Sequence, residues 1–478
     1  MINNKICDSL SDAIKKSGLK DGMTISFHHH FRTGDLLISQ VLKVIEELGI
    51  KDLKIAASAI VNLDNVDFIH YIENGTITSV EASGIRGELG NYILKNGLKR
   101  GVTLRPHGGR ARAIQEGSLK IDVAFVGASS ADEYGNATGA YGKNVCGTLS
   151  YPMIDVQYAT KSIVITDNLV PYPCEKWSVT QDNVDYVVVV DEIGDASKIG
   201  VGAARISNRP LDLEISRQVV DAIKYSGYFK EGFSFQTGAG AIAIACTDFL
   251  RKEMEKEGIK ASFALGGVTS YISEMLEEGL VQNVLAVQSF DANSAKVLFE
   301  NQRMIEIDSG KYANPNLKGC SVNMVNVGIL GALEVDTDFN VNLLVGSNGK
   351  MLSGIGGGPD VAAGVDLSII AIPINRKRTP SVVDKVFTKC TPGKDIAVVV
   401  TEAGIALNPK HKNYEFLKNN LEKSSLDLKT IEELRDIAYK ITGKPSGIET
   451  TDEVVANVED RYGDIIDVIK KIKYWKNK

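Results

Sequence analysis

Short apolar runs alternate with longer amphipathic segments along the chain. The runs are rich in Val and Ile, which favours buried strands; the clearest are residues 161–166, 186–190, 367–372 and 396–401. Apolar residues recur at helical spacing in residues 38–48, 215–225 and 247–257. Apolar strands with intervening helices predict an α/β fold with mainly parallel sheets.

The pattern also repeats within the chain. Residues 19–27 resemble residues 229–235, each a turn followed by a strand and a Gly-containing loop that leads into a helix. The following helices are expected to end at Gly49 and Gly258, and a further pair of strands is predicted at 121–127 and 322–328. We therefore predict two related open α/β domains, 1–208 and 209–478, joined within residues 204–210. The segment from about Leu421 onwards is charged and is predicted to be helical.

Composition narrows the function classes. A formal net charge of -6 argues against a nucleic-acid-binding protein, because phosphate neutralisation needs a basic face. No apolar run approaches the roughly 18 residues of a membrane span, and the N-terminus lacks the apolar region of a signal peptide. The six cysteines have no metal-ligand spacing. We expect a cytoplasmic protein with reduced thiols, no metal site and no membrane contact.

Two glycine clusters follow or precede predicted strands. The first contains Gly238 and Gly240, and the second contains Gly354, Gly356, Gly357 and Gly358. Glycine lets a backbone approach a ligand closely, and a helix N-terminus attracts anions. Tight structural turns would use the same residues. Neither cluster fits the dinucleotide-binding fingerprint.

Two basic segments lie in the N-terminal half. His28, His29, His30 and Arg32 follow the first strand of the repeat, and Arg105, His107, Arg110 and Arg112 form the second segment. Adjacent residues in extended chain point alternately, so three consecutive histidines do not suit one metal ion. Arginine pairs well with carboxylates, which favours an anionic substrate. Solvated surface loops are the alternative for both segments.

Five ordered motifs together resemble the CoA-transferase superfamily over nearly the whole chain. They are Asp132–Asn136, Phe235–Ile242, Ala332–Asp336, Gly354–Asp360 and Val400–Ala406. Within that superfamily, Asp21–His29 and His107–Ala113 resemble the citrate lyase alpha subunit family.

The resemblance implies an activity and its partners. It implies a citrate CoA-transferase component of citrate lyase that converts acetyl-carrier-protein and citrate to citryl-carrier-protein and acetate. The implied partners are an acyl carrier (gamma) subunit and a citryl-carrier lyase (beta) subunit, and a homo-oligomer is expected. No tightly bound cofactor is expected, because acetyl-CoA or the carrier's CoA-like prosthetic group acts as the acyl donor. Citramalate or a similar hydroxy-acid stays open as the substrate.

One position departs from the wider superfamily. Many CoA-transferases carry a nucleophilic glutamate where this chain has Ser270, and Glu274 is one helical turn further on. A covalent glutamyl intermediate is therefore not expected, and transfer should be direct within a ternary complex. No single residue is predicted as acid or base, because both nucleophiles are anionic.

Charge and glycine are unequally distributed between the two halves. We predict an active site at the domain interface, with citrate held by His28, His29, Arg32, Arg105, His107, Arg110 and Arg112. The acyl arm is expected on Gly238, Gly240, Gly354, Gly356, Gly357 and Gly358. The alternatives are a free-standing CoA-transferase for another carboxylic acid and a non-catalytic sensor of phosphorylated metabolites.

Overall fold

The computed structural model describes residues 4–199 and 206–473. The α-helices in these ranges are α1 (Leu10–Ser17), α2 (Leu37–Glu47), α3 (Phe68–Glu73), α4 (Gly87–Asn96), α5 (His107–Gln115), α6 (Ser150–Tyr158), α7 (Pro210–Tyr225), α8 (Ala241–Glu257), α9 (Ser270–Glu277), α10 (Ala292–Glu300), α11 (Ser309–Ala313), α12 (Gly358–Gly364), α13 (Tyr414–Leu421) and α14 (Ile431–Thr442). The strands are β1 (Ile6–Cys7), β2 (Thr24–Phe27), β3 (Leu53–Ala57), β4 (Ile77–Ala82), β5 (Val102–Leu104), β6 (Val123–Ala128), β7 (Ser130–Ala131), β8 (Ala137–Thr138), β9 (Lys161–Thr166), β10 (Tyr186–Val189), β11 (Ser234–Thr237), β12 (Ala261–Val268), β13 (Val281–Ser289), β14 (Met304–Glu306), β15 (Val327–Leu330), β16 (Glu334–Asp336), β17 (Val341–Asn342), β18 (Leu367–Ala371), β19 (Asn375–Arg376), β20 (Thr379–Pro380), β21 (Val382–Val383), β22 (Val398–Thr401), β23 (Gly404–Leu407), β24 (Leu428–Lys429), β25 (Thr450–Glu459) and β26 (Ile465–Ile472).

Two large sheets organise the molecule. The first has the order β1-β10-β9-β6-β2-β3-β4-β5-β25-β26, and the second has the order β14-β13-β12-β11-β15-β18-β22-β23-β24. Neighbouring strands are parallel except for β25 with β26 in the first sheet and β22 with β23 in the second. The prediction of an α/β fold with mainly parallel sheets is confirmed.

The two sheets repeat one arrangement. In the first, β2 lies between β3 and β6; in the second, β11 lies between β12 and β15. The turn before each of these strands is closed alike, because the N–H of Gly22 donates to Lys51 and that of Gly232 donates to Lys260. The helix that follows is terminated by a left-handed glycine in each case, Gly49 and Gly258. The structure thus carries the internal repeat that the sequence predicts.

The C-terminal segment differs from its prediction. Residues after Leu421 do form α14, but 450–472 form the hairpin β25–β26 rather than a helix. Strand β25 pairs with β5, so the hairpin extends the first sheet although the predicted boundary at 208/209 assigned it to the second domain. Residues 204 and 205 of the predicted join lie outside the described residues, and Pro210 begins α7.

Buried apolar side chains form a separate core around each sheet. Phe27, Phe125 and Ile163 belong to the core of the first sheet, and Phe233 and Phe235 belong to that of the second. All six cysteines are buried and free. Within the described ranges, no helix combines the length and apolarity that crossing a bilayer requires.

Candidate active site between the two sheets

A cavity of about 170 Å³ lies where residues of the two sheets meet. In each sheet the chain order reverses next to β2 or β11, and ligands of open α/β sheets bind at such switch points, beyond the carboxyl ends of the strands. The lining residues are His107 and Tyr151 from the first sheet's side, and Gln236, Thr237, Gly238, Gly266, Gly267, Val287, Gln288, Phe290, Tyr312, Leu330, Gly357 and Gly358 from the second.

The three consecutive histidines are all buried but face different surroundings. His28 Nε2 lies 3.4 Å from a carboxylate oxygen of Asp155, and His30 Nε2 lies 3.0 Å from the carbonyl oxygen of Gly127. His29 Nδ1 lies 2.6 Å from the hydroxyl of Ser58, and its ring stacks on His107 with centroids 5.8 Å apart. Of the three, His29 is therefore the one beside the cavity. Its pKa and that of His28 are held well below 6.5, chiefly by burial, so both rings are neutral.

Arg32 differs from the other predicted arginines in the contacts that its guanidinium makes. Its guanidinium lies over the ring of Phe290, 4.6 Å from the centroid, so it joins the two sides of the cavity wall. Its Nε and Nη2 atoms are buried without a hydrogen-bond partner among the described residues. The backbone of Arg32 is left-handed, with φ of 57°, a conformation that is costly for a side chain of this size. Burial lowers the pKa of Arg32 to about 10, which leaves it charged at neutral pH.

His107 begins α5 and is held by the second glycine cluster. Its backbone N–H donates to the carbonyl oxygen of Gly356 at 3.1 Å, and its ring lies 4.7 Å from that of Tyr151. Burial, with the nearby Arg110 and Arg32, lowers the pKa of His107 to about 3. The ring is thus a neutral imidazole that can exchange hydrogen bonds with a ligand but carries no charge at neutral pH.

The three other predicted arginines already have anionic partners. Arg110 makes a bidentate pair with Asp155, with both distances 2.7 Å. Arg105 pairs with Glu81 and Glu459, and Arg112 pairs with Glu116 and donates to the carbonyl oxygen of Arg461. These contacts argue against the assignment of Arg105, Arg110 and Arg112 as citrate ligands. The charge of each guanidinium is largely neutralised, and removing Arg105 or Arg110 would leave the buried carboxylate of Glu81 or Asp155 without its guanidinium.

The glycines also divide into groups. Gly238, Gly357 and Gly358 line the cavity, and Gly356 lies beside the His107 ring. Gly240 precedes α8, and a Cβ there would meet no atom within 4 Å. Gly354 instead packs on Gly84 of the first sheet's side, where a Cβ would come within 2.8 Å of the Gly84 Cα. Gly354 therefore serves the contact between the two sheets and does not line the cavity.

Sequence reasoning missed the polar and aromatic residues on the second sheet's side. Gln236 Nε2 donates to the Tyr312 hydroxyl at 3.1 Å, while the Gln288 amide nitrogen is buried without a partner among the described residues. Phe290 and Tyr312 complete the wall. Gln236 lies within the motif Phe235–Ile242 but was given no role, and no spacing in the chain groups it with the other residues, which extend to position 312. Arg86, exposed and close enough to depress the pKa of both His29 and Arg32, was missed for the same reason.

No Asp or Glu is among the described residues that line the cavity. Ser270 begins α9 and its backbone N–H donates to Asp291 at 2.7 Å. Glu274 pairs with Arg251 at 3.1 Å on the surface, and Glu402 accepts a hydrogen bond from the Ile374 N–H at 2.9 Å. Neither glutamate is placed to attack a ligand in the cavity.

Paired parallel sheets with a glycine-lined cavity at their switch points define a CoA-transferase-like α/β protein. A Pseudomonas malonate decarboxylase hetero-tetramer, solved with malonate, shares this fold with a TM-score of 0.65 at 15% identity, over 93% of this chain and 84% of that one.

Comparison with known proteins identifies the family. The model of the family described as "Citrate lyase, alpha subunit (CitF)" matches residues 3–472, so the chain belongs to the citrate lyase alpha subunit family. The chain is 46% identical to the citrate lyase alpha chain of Klebsiella pneumoniae, covering 98% of this chain and 92% of the relative. It is 44% identical to that of Escherichia coli K12, covering 98% and 92%. A citrate lyase alpha subunit from Streptococcus mutans, solved in complex with citrate, superposes with a TM-score of 0.96 at 46% identity, covering 99% of this chain and 92% of that one.

Proposed function

We propose that this chain transfers the thioester of an acyl carrier from acetyl to citrate, as the citrate CoA-transferase component of a citrate lyase. The observation that carries the proposal is the buried guanidinium of Arg32 beside the cavity, with two nitrogens that have no partner among the described residues. A buried cation without a carboxylate is costly unless a ligand supplies the anion. The Streptococcus mutans relative with bound citrate supports a citrate carboxylate as that anion.

The cavity suits the reacting ends of the substrates. Its volume of about 170 Å³ is below the roughly 300–1,000 Å³ of sites that enclose drug-sized ligands. A small acid and an acetyl thioester fit this size, while the rest of a CoA-like arm would extend outside. Gly357 lines the cavity with bare backbone, which a thioester can approach closely, and a Cβ there would clash with the Tyr312 hydroxyl oxygen at 2.7 Å.

The proposed reaction has two exchanges. A citrate carboxylate oxygen attacks the acetyl carbonyl carbon, the C–S bond breaks, and the carrier thiolate leaves. The thiolate then attacks the citryl carbonyl of the mixed anhydride, and acetate leaves. No net proton is gained or lost, so no base of matched pKa is required.

The proposed roles of the residues follow from this scheme. Arg32 holds a citrate carboxylate, with Arg86 adding positive potential. Neutral His29 and His107 complete the citrate side through hydrogen bonds. The Gln288 amide and backbone N–H groups at the Gly266–Gly267 bulge of β12 and at the Gly357 loop stabilise the oxyanions, a contribution that is typically about 3–4 kcal/mol per donor. Among the predicted acyl-arm residues, Gly238, Gly357 and Gly358 remain proposed as arm contacts.

A direct transfer leaves no acyl group on the protein. We expect the purified chain to transfer CoA from acetyl-CoA to citrate, giving citryl-CoA and acetate, with citrate preferred over citramalate and short monocarboxylates. Incubation with acetyl-CoA alone, followed by borohydride or hydroxylamine trapping, should leave the intact mass unchanged. A modified carboxylate at Glu274, Glu402 or Asp360 would contradict the direct mechanism, and absence of any exchange would contradict the proposed function.

The proposed carrier and lyase subunits can be tested separately. The alpha chain should use acetyl-CoA slowly and an acetylated acyl carrier subunit faster, because the carrier adds a docking surface to the same thioester. Equal rates for both donors at equal concentration would contradict a carrier partner.

A further inference from the structure

The C-terminal hairpin reaches the active site from the first sheet. Strand β25 pairs with β5, with Asn457 opposite Thr103 and Val458 opposite Leu104. Strand β5 leads within three residues to His107, the first residue of α5. The hairpin is therefore the neighbour of the strand that delivers His107 to the cavity.

Hydrogen bonds within the turn of this hairpin stabilise it, and the turn contacts α5. One carboxylate oxygen of Asp460 accepts hydrogen bonds from the N–H groups of Tyr462, Gly463 and Asp464 at 2.8, 2.9 and 3.0 Å. Arg112 of α5 donates from Nε to the carbonyl oxygen of Arg461 at 3.1 Å. A Cβ on Gly463 would lie 2.4 Å from an Arg112 nitrogen, so the turn and the helix are in close contact.

Arg461 projects from this turn into the second sheet's side. It is only 2% exposed. Its Nη2 donates to the carbonyl oxygen of Ala313 at 2.9 Å, and its Nη1 donates to the side-chain oxygen of Asn323 at 3.1 Å. Its Nε lies 3.9 Å from a carboxylate oxygen of Asp360, itself fully buried. A buried guanidinium and a buried carboxyl group thus face each other, and burial raises the pKa of Asp360 to about 7 although the charge of Arg461 opposes this shift.

Asp360 connects this pair to the cavity. Its other carboxylate oxygen accepts the backbone N–H of Gly108 at 2.8 Å, next to His107 in the chain. The His107 N–H donates to Gly356, four residues before Asp360. The segment 356–360 therefore grips the N-terminus of α5 at two successive N–H groups. A Cβ on Gly108 would lie 2.5 Å from a carboxylate oxygen of Asp360, so the two residues are packed too closely for a side chain at position 108.

We propose that Arg461 is a positioning residue for the transferase reaction: through Asp360 it holds His107 and the Gly356–Gly358 loop in register across the two sheets. This inference rests on the proposed function. Arg461 itself is not among the cavity-lining residues, and it acts through the buried carboxylate. Without it, Asp360 loses the cation that favours its ionised form, so the carboxyl group protonates or shifts and its contact with Gly108 loosens.

The test uses acyl exchange between acetyl-CoA and citrate by the full chain. Arg461→Met should lower kcat of the folded enzyme about tenfold or more, with KM for both substrates within about threefold, because a displacement of even 1 Å can cost about a hundredfold in rate. Arg461→Lys keeps the positive charge but lacks the planar guanidinium with its several N–H donors. Its kcat should therefore lie between those of the wild type and Arg461→Met. The double variant Arg461→Met with Asp360→Asn removes both buried charges, so it should regain thermal stability yet stay as slow as Arg461→Met.

Ile469→Ala is the matched control, since Ile469 is fully buried in the same hairpin and belongs to the apolar core of the first sheet. It should lower the thermal midpoint and leave kcat of the folded fraction unchanged. A second readout does not depend on activity. Nitrogen-15 signals of the His107 ring should shift in both Arg461 variants and stay in place in Ile469→Ala, with a His107→Gln variant identifying the signal.

The outcomes distinguish a failure of the positioning role of Arg461 from a failure of the proposed transferase function. Wild-type kcat in the double variant, or an equal loss of kcat in Ile469→Ala, would overturn the positioning role and leave the transferase function standing. If Arg461→Met does not fold, the kcat and the His107 ring signals of Arg461→Lys and of the double variant test the positioning role in its place. An inactive wild-type chain would overturn the proposed function, and the His107 signals would still report whether Arg461 sets that ring.

Discussion

The two sides of the cavity are built from the same arrangement of strands, but they supply different chemical groups to the cavity. After β2, the first sheet places buried histidines and the charged Arg32, whereas at the end of β11 the second places Thr237 and Gly238 with little side-chain bulk. The first side can supply fixed charge and the second can supply backbone N–H groups and space. A shared fold thus fixes where ligands bind, while the loop residues at each switch point decide which part of the reaction each side serves.

The largest expected effect tests whether an arginine of the first side is structural. Arg110→Ala should destabilise the protein by about 3–5 kcal/mol, because fully buried Asp155 loses its bidentate partner and, among the described residues, keeps only His28 at 3.4 Å. The measurement is denaturant unfolding, with Arg110→Ala plus Asp155→Ala as the control that removes both charges and should recover part of the loss. If Arg110→Ala unfolds like the wild type but weakens citrate binding, the original assignment to citrate is right.

The next prediction concerns the contact that joins the two sides. Glu306 of the second sheet accepts the backbone N–H of Leu149 from the first, and burial raises its pKa to about 7. Its folded-state pKa exceeds the ordinary 4.5, so its stabilising contribution is present below pH 4.5 and is lost as the pH rises through 7.

Glu306→Gln cannot ionise and should remove this pH dependence. Relative to wild type, the variant should gain about 3 kcal/mol of unfolding free energy between pH 4.5 and pH 8, from a shift of roughly two and a half pKa units. The depressed pKa values of the buried histidines act in both proteins and cancel in this difference. A difference that stays constant with pH would show that the pKa of Glu306 is not raised in the folded protein.

Arg32 tests the charge supplied by the first side. Arg32→Met should raise the citrate KM about tenfold or more, since charge-assisted contacts contribute roughly 1.5–3 kcal/mol each. The KM for acetyl-CoA should change less than twofold. Steady-state kinetics with each substrate varied in turn provides the measurement, and Arg303→Met, an exposed arginine of the second sheet's region, is the control. An equal increase in both KM values would place Arg32 in general packing rather than citrate binding.

Gly357 tests the space supplied by the second side. Gly357→Val should raise the KM for acetyl-CoA severalfold to tenfold, because its Cβ would approach the Tyr312 hydroxyl and the His107 ring. Gly240→Ala is the control, since a Cβ there meets nothing within 4 Å. Calorimetric unfolding should show that both variants fold. Normal donor affinity in folded Gly357→Val would make this loop structural.

Several features were predictable because they depend on local pattern. The strands at 161–166 and 367–371 coincide with apolar Val- and Ile-rich runs, and the repeat around Gly22 and Gly232 is visible in turn residues alone. The family resemblance rested on ordered motifs and is confirmed over residues 3–472. The hairpin 450–472 was missed because its charged, only partly buried strands lack a clear alternating pattern.

The sequence by itself thus determined the α/β class, the duplication, the family and a set of cations and glycines from which a site could be built. It could not rank those residues, because the partner of each charge lies far away in the chain. Arg110 meets Asp155, 45 positions on, and Arg105 meets Glu459, 354 positions on, while Arg32 meets the ring of Phe290 instead of a carboxylate. Whether an arginine is neutralised by the protein or left for a ligand is an electrostatic property of the folded neighbourhood, and only the tertiary structure decided it.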